Sequence, residues 1–162
     1  MHVNVFCYGT LRTPPSLGTH MNLTDAELSE YGQLDIQLNF DPGAELIGRL
    51  GGWKLHDRAM YCDEGSRGRG IPAVTHHVVE DAVVIGDLYK VTLGGFRELL
   101  RYEGYPRLYD YDLVHVVSRY GSPRRIEEAV VFTSTHAETF GELIHGGDYF
   151  AAPTTKEVEL AE

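Results

Sequence analysis

The strongest pattern of apolar and polar positions is Val83-Val84-Ile85-Gly86-Asp87-Leu88-Tyr89-Lys90-Val91, a β-branched run that ends in alternation. It predicts a strand. Val3 to Tyr8 has only Asn4 as a polar member and predicts a buried strand, stopped by Gly9-Thr10-Leu11-Arg12 and Thr13-Pro14-Pro15. Leu46 to Leu50 and Trp53 to His56 predict two short strands with Gly51-Gly52 between them. Ile71-Pro72-Ala73-Val74 leads into another. Asp110 to Ser118 sets Leu113, Val114, Val116 and Val117 among polar residues, and Glu128 to Thr133 gives the last strand. Turns fall at Asp41-Pro42-Gly43 and Gly121-Ser122-Pro123, a solvated loop at Glu64 to Gly70, and an irregular closing segment at Gly141 to Pro153.

Helical spacing is rarer. Thr24-Asp25-Ala26-Glu27 has the form of a helix start. Thr92 can cap a helix from about Gly94 to Glu103, in which Phe96, Leu99 and Leu100 form one apolar stripe. Glu103 follows Leu99 by four positions and falls on that stripe. Gly104 can end the helix in a left-handed conformation, and Pro106 keeps it from resuming. A carboxylate aimed at a core is costly unless it is paired, hydrogen-bonded or protonated, which makes Glu103 a candidate general acid/base. The competing reading is a helix-end glutamate turned to water.

Five to seven strands with one or two short helices imply an α+β domain, a small mixed or closed β-barrel with flanking short helices. Strands and helices do not alternate regularly, which argues against a doubly wound parallel sheet. One domain is expected over 1–153, followed by an acidic, mobile tail over 154–162 that contains Glu157, Glu159 and Glu162.

Composition narrows the function classes. Hydrophobic residues make up 43% and charged residues 23% of the 162, ordinary globular values with room for a core. The formal net charge of -10 argues against non-specific nucleic-acid binding and against an anionic membrane surface. Cys7 and Cys62 make no disulfide framework, and no metal-ligand spacing includes either, so no cofactor and no metal are expected. Met1-His2-Val3-Asn4-Val5 has neither a basic n-region nor a long apolar h-region. No run approaches the roughly 20 apolar residues of a membrane span, and a cytoplasmic protein is expected.

Two features combine into a resemblance. A first strand ending Phe6-Cys7-Tyr8-Gly9-Thr10-Leu11-Arg12, and a helix ending Tyr102-Glu103-Gly104-Tyr105-Pro106 with Tyr109 close behind, resemble the γ-glutamylcyclotransferase-like family. That group includes γ-glutamylamine cyclotransferases and plant avirulence-induced-gene-type proteins. Ile71-Pro72-Ala73, Val84-Ile85-Gly86-Asp87-Leu88-Tyr89 and Gly146-Gly147-Asp148-Tyr149 resemble further elements, so the likeness spans roughly residues 3 to 150. It implies a small barrel with a cavity at one end. Tyr8, Gly9, Thr10 and Leu11 would line the cavity, with backbone amides for the substrate carboxylate, Tyr109 would touch substrate, and Glu103 matches the catalytic glutamate.

The implied reaction is cleavage of a γ-glutamyl amide by intramolecular cyclisation to 5-oxoproline and a free amine, a transferase or lyase chemistry. The nucleophile is tethered within the substrate, so a clamp and a proton shuttle suffice. Two positions depart from the family pattern: Leu100 stands where many relatives have aspartate, and Tyr111 where many have arginine. The alternative is a catalytically silent small-molecule binding or regulatory module on the same fold. From the residues alone, Tyr8 is either a core aromatic or a ligand contact, and Thr10 either a ligand contact or a local backbone partner. Tyr105, Tyr109 and Tyr111 either line a pocket or pack the outer face.

Overall fold

The computed structural model describes residues 1–9, 11, 36, 40–63 and 71–149. Its organising strand is β6 (Val83–Thr92), the run that the sequence marks most clearly. One edge of β6 carries β1 (His2–Cys7), antiparallel from His2↔Thr92 to Cys7↔Asp87. The other edge carries β3 (Trp53–His56) along its first half and β2 (Glu45–Leu46) near its end. β3 pairs with β7 (Asp110–Ser118), β7 with β8 (Ile126–Ser134), and β8 returns to β1 in parallel. The strands β1, β6, β3, β7 and β8 thus close a ring. It is not a clean barrel, because β8 carries on past β1 to pair in parallel with β5 (Pro72–Thr75). β4 (Met60–Asp63) and β9 (Gly141–Leu143) extend the sheet beyond β5.

Side-chain alternation divides the core in two. Phe6, Trp53, Leu55, Val84, Leu88, Val116 and Val131 fill the ring from its five strands. Val5, Cys7, Tyr89, Val91 and Phe132 face outward and pack under Leu99 of the helix α1 (Leu93–Tyr102). Strands such as β1 are therefore apolar on both faces and read as continuous runs.

Both ends of α1 are set locally. Thr92 Oγ1 accepts the Gly95 N–H at 3.1 Å as the N-cap. At the other end the Gly104 N–H donates to the Arg101 carbonyl and the Tyr105 N–H to the Leu100 carbonyl, with Gly104 at φ 67. This is the Schellman arrangement, and it makes Glu103 the C-cap.

The sequence reading differs from the structure in a few places. The expected strand at Leu46 to Leu50 shrinks to Glu45–Leu46, because Gly48 takes a φ of 94 and turns the chain. β4 was not anticipated, and the closing segment contributes β9. The expected helix start at Thr24, the loop from Glu64 to Gly70 and the acidic tail lie outside the described residues.

Asp41 joins the turn before β2 to the start of α1. Its carboxylate accepts the Gly43 N–H at 2.9 Å and the Thr92 N–H. Burial pushes its pKa up, but these backbone bonds and the Thr92 hydroxyl outweigh burial and hold it below the usual carboxylate value. Asp41→Ala is expected to lower unfolding stability by about 2 kcal/mol at neutral pH in urea titration. In the parent protein the Asp41 contribution fades as pH falls through its depressed pKa, so the gap between the two proteins closes in acid.

Candidate active site

β1 and β5 share one edge of β8 and part beside Phe132. β1 registers Val5↔Val130 and Phe6↔Val131, whereas β5 registers Val74↔Thr133 and Thr75↔Ser134. At this seam β1 gives way to Tyr8-Gly9, and β5 enters at Pro72. Backbone groups at such a divergence need other partners. Two tyrosines supply them: the Tyr8 hydroxyl donates to the Phe132 carbonyl at 2.7 Å, and the Tyr109 hydroxyl donates to the Pro72 carbonyl at 2.9 Å. A side chain at Gly9 would run into the Pro72 ring, so the two chain segments can approach this closely only with glycine there.

The crevice opens into a cavity of about 330 Å³. Tyr8, Gly9, Leu11, Tyr109 and Glu103 all line it. The structure therefore brings together every proposed site residue except Thr10, which lies outside the described residues. Phe132, Pro72, Ile71 and Tyr102 complete much of the wall together with Phe6 and Cys7. Sequence reasoning did not assign these to the site. Phe6, Cys7 and Tyr102 carried a signal as members of the two resemblance motifs and Ile71-Pro72 as its short proline segment, whereas Phe132 carried none. Tyr105 and Tyr111 meet at a tilt with ring centroids 5.3 Å apart, and Tyr111 meets Phe96 edge-on at 5.7 Å; neither tyrosine lines the cavity.

Glu103 is half-buried rather than turned to open water. Burial raises its pKa from the ordinary 4.5 to about 7. The Tyr8 phenol is held well above its usual pKa, first by burial and then by the neighbouring Tyr109 and Glu103. It therefore stays protonated as a hydrogen-bond donor while Glu103 titrates near neutrality. No group of His, Cys, Asp and Glu able to hold a metal occurs among the described residues.

Comparison with known proteins follows the same line. A family model described as gamma-glutamyl cyclotransferase, AIG2-like, matches residues 5–151. The chain belongs to this family. An AIG2-like protein from Mus musculus superposes with a TM-score of 0.59 at 17% identity, covering 91% of this chain and 88% of that one. A structure named gamma-glutamyl cyclotransferase gives 0.55 at 17% identity, covering 83% and 68%. A protein from Pyrococcus horikoshii gives 0.52 at 18% identity, covering 98% and 94%. At such identities the structural likeness speaks for the fold. No curated protein matches the sequence. Membership of the cyclotransferase family supports γ-glutamyl cyclotransferase-type activity on small γ-glutamyl substrates in general. No helix among the described residues is long and apolar enough to cross a membrane.

The positions that depart from the cyclotransferase pattern are filled by packing. Leu100 joins the outer core beneath α1, and Tyr111 lies between Phe96 and Tyr105.

A raised carboxyl pKa means that the folded protein disfavours the ionised form. No penalty exists below pH 4.5, it grows as pH rises, and above pH 7 it reaches about 3 kcal/mol. Glu103→Gln is thus expected to stabilise the fold at pH 8 by up to about 3 kcal/mol and to do little at pH 4.5. Thermal unfolding at the two pH values measures this, and an equal effect at both contradicts a desolvated carboxylate.

Proposed function

We propose that this chain cleaves a γ-glutamyl amide by intramolecular cyclisation, releasing 5-oxoproline and a free amine, with Glu103 as the general acid/base. The observation that carries the reading is the half-buried Glu103 carboxyl, titrating near neutrality, on the same cavity as the Tyr8-Gly9 turn.

The substrate brings its own nucleophile. Its α-amino nitrogen attacks the side-chain amide carbon, a C–N bond forms in a five-membered ring, and the C–N bond to the leaving amine breaks. Tethering removes most of the entropic barrier to this attack. The substrate's ammonium must first lose a proton, and the Glu103 carboxylate accepts it. Glu103 then returns a proton to the leaving nitrogen. Both protons given up by the ammonium end on the amine product, one replacing the broken bond and one leaving it as an ammonium ion. A carboxyl with a pKa of about 7 suits both directions, because accepting and donating are nearly balanced at neutral pH.

The clamp falls to the other side of the cavity. In this reading the backbone N–H groups at the Tyr8-Gly9 turn receive the substrate's α-carboxylate, as glycine turns do for anions, and Thr10 and Leu11 belong to the same motif. Tyr8 and Tyr109 donate their hydroxyl protons to the Phe132 and Pro72 carbonyls, which fixes both rings as walls of the cavity.

Incubation with a panel of γ-glutamyl amides should release 5-oxoproline, detected by mass spectrometry. Glu103→Gln should reduce kcat/KM by about 10²–10⁴-fold. The carboxylate is the accepting form, so kcat/KM should fall as pH drops below about 7. Full activity in Glu103→Gln, or a flat profile from pH 5 to 9, would rule out the role of Glu103.

A further inference from the structure

The carboxylate and the nitrogen of a γ-glutamyl unit sit on the same α-carbon. A site that grips the one and takes a proton from the other must hold its anion turn and its acid at a fixed span. Misplacement by about 1 Å can slow such a reaction on the order of 10²-fold. The contacts between the Gly9 turn and the end of α1 show what sets this span.

Two bodies face each other across the crevice. On one side Glu103 is the C-cap of α1, and Tyr109 follows it through a tight turn in which the Arg107 and Leu108 N–H groups donate to the Gly104 carbonyl at 2.9 and 3.0 Å. On the other side Gly9 follows β1. Pro72 stands between them. Its carbonyl accepts the Tyr109 hydroxyl proton at 2.9 Å, and its ring lies so close to Gly9 that a methyl group there would come within 2.4 Å of the ring Cγ. Pro72 is buried and registers opposite Cys62 in the sheet. A proline ring is closed onto its own backbone nitrogen, so a hold on the backbone is a hold on the ring. Gly9 does not have a positive φ, and its missing side chain answers to this contact instead.

Resting on the cyclotransferase reading, we infer that Pro72 is a positioning residue: pinned by the Tyr109 hydroxyl, its ring backs the Gly9 turn and sets the span between the carboxylate clamp and Glu103. Tyr109 then acts through Pro72, as the tie between the acid-bearing end of α1 and the turn. The two roles open to Tyr109 differ in their kinetics. A hydroxyl that binds substrate equally in the ground and transition states shows in KM. A tie that sets the span shows in kcat, because a substrate seated on a displaced turn presents its nitrogen off line to Glu103.

The test measures kcat and KM for 5-oxoproline release, with the γ-glutamyl amide that the parent protein turns over best, alongside thermal unfolding of each variant. Tyr109→Phe should lower kcat by about tenfold or more and change KM by less than about threefold. Gly9→Ala, which forces the ring away, should lower kcat at least as far. Pro72→Ala removes the ring Cγ and leaves the added methyl 3.5 Å from the Cβ at position 72, an ordinary contact. Gly9→Ala/Pro72→Ala should therefore recover kcat by about tenfold over Gly9→Ala alone. A rise in KM with unchanged kcat in Tyr109→Phe assigns its hydroxyl to the substrate and overturns the inference. Losses from Gly9→Ala and Pro72→Ala that simply add in the double variant overturn it too, as do variants that melt earlier with both kinetic constants intact. If Gly9→Ala does not fold, Tyr109→Phe decides alone. These outcomes leave the cyclotransferase reading standing, whereas a parent protein that releases no 5-oxoproline from any γ-glutamyl amide overturns both.

Discussion

The site depends on one constraint of strand pairing. The edge of β8 can hold one neighbour at each position, and it holds β1 up to Val131 and β5 from Thr133 onward. Where the neighbours change, two backbones must diverge, and divergence leaves polar groups that pairing cannot satisfy. Tyr8 and Tyr109 answer this requirement from opposite sides of the opening, one bonded to Phe132 and the other to Pro72. The same two rings then wall the cavity. A divergence in the sheet and the candidate site are here one feature, much as crevices form where strand order switches in open α/β sheets.

Glu103 is brought to that opening by a second, independent device. The Schellman bonds at Gly104 and Tyr105 fix the last turn of α1, and Leu99 anchors the helix on the outer core. A carboxylate at the carbonyl end of a helix gains nothing from the helix dipole, which is negative there. Desolvation is therefore not offset, and the pKa rises to about 7. The arrangement is unfavourable for stability, as positions with tuned proton affinity commonly are.

Much of this was legible in the sequence because it rests on local pattern. β7 matches its expected span, α1 starts at its expected cap, and Gly104 ends it as its type suggests. The placement of Glu103 on the Leu99 stripe followed from helical spacing alone. What was not legible depends on contacts between distant segments. β4 is four residues whose pairing with β5 and β9 gives no periodic signal of its own. Ile71 and Tyr102 join the cavity only because β5 enters beside β1 and the last turn of α1 reaches the same opening. The three tyrosines after Glu103 are alike in sequence, and only the direction of the chain into β7 separates Tyr109 from Tyr105 and Tyr111.

Leu100 and Tyr111 are where a silent binding module and an enzyme would diverge. In the proposed reaction Glu103 is the proton-transfer group, and the departures from the family pattern do not reach it. Instead they lie on the helix side, where Leu100 and Tyr111 exchange polarity for contacts with the outer core and with Phe96. They reinforce the platform beneath α1 and leave Glu103 at its end, on the cavity, with its raised pKa. For the proposed reaction, that packing keeps the carboxyl where a proton can pass to and from it at neutral pH.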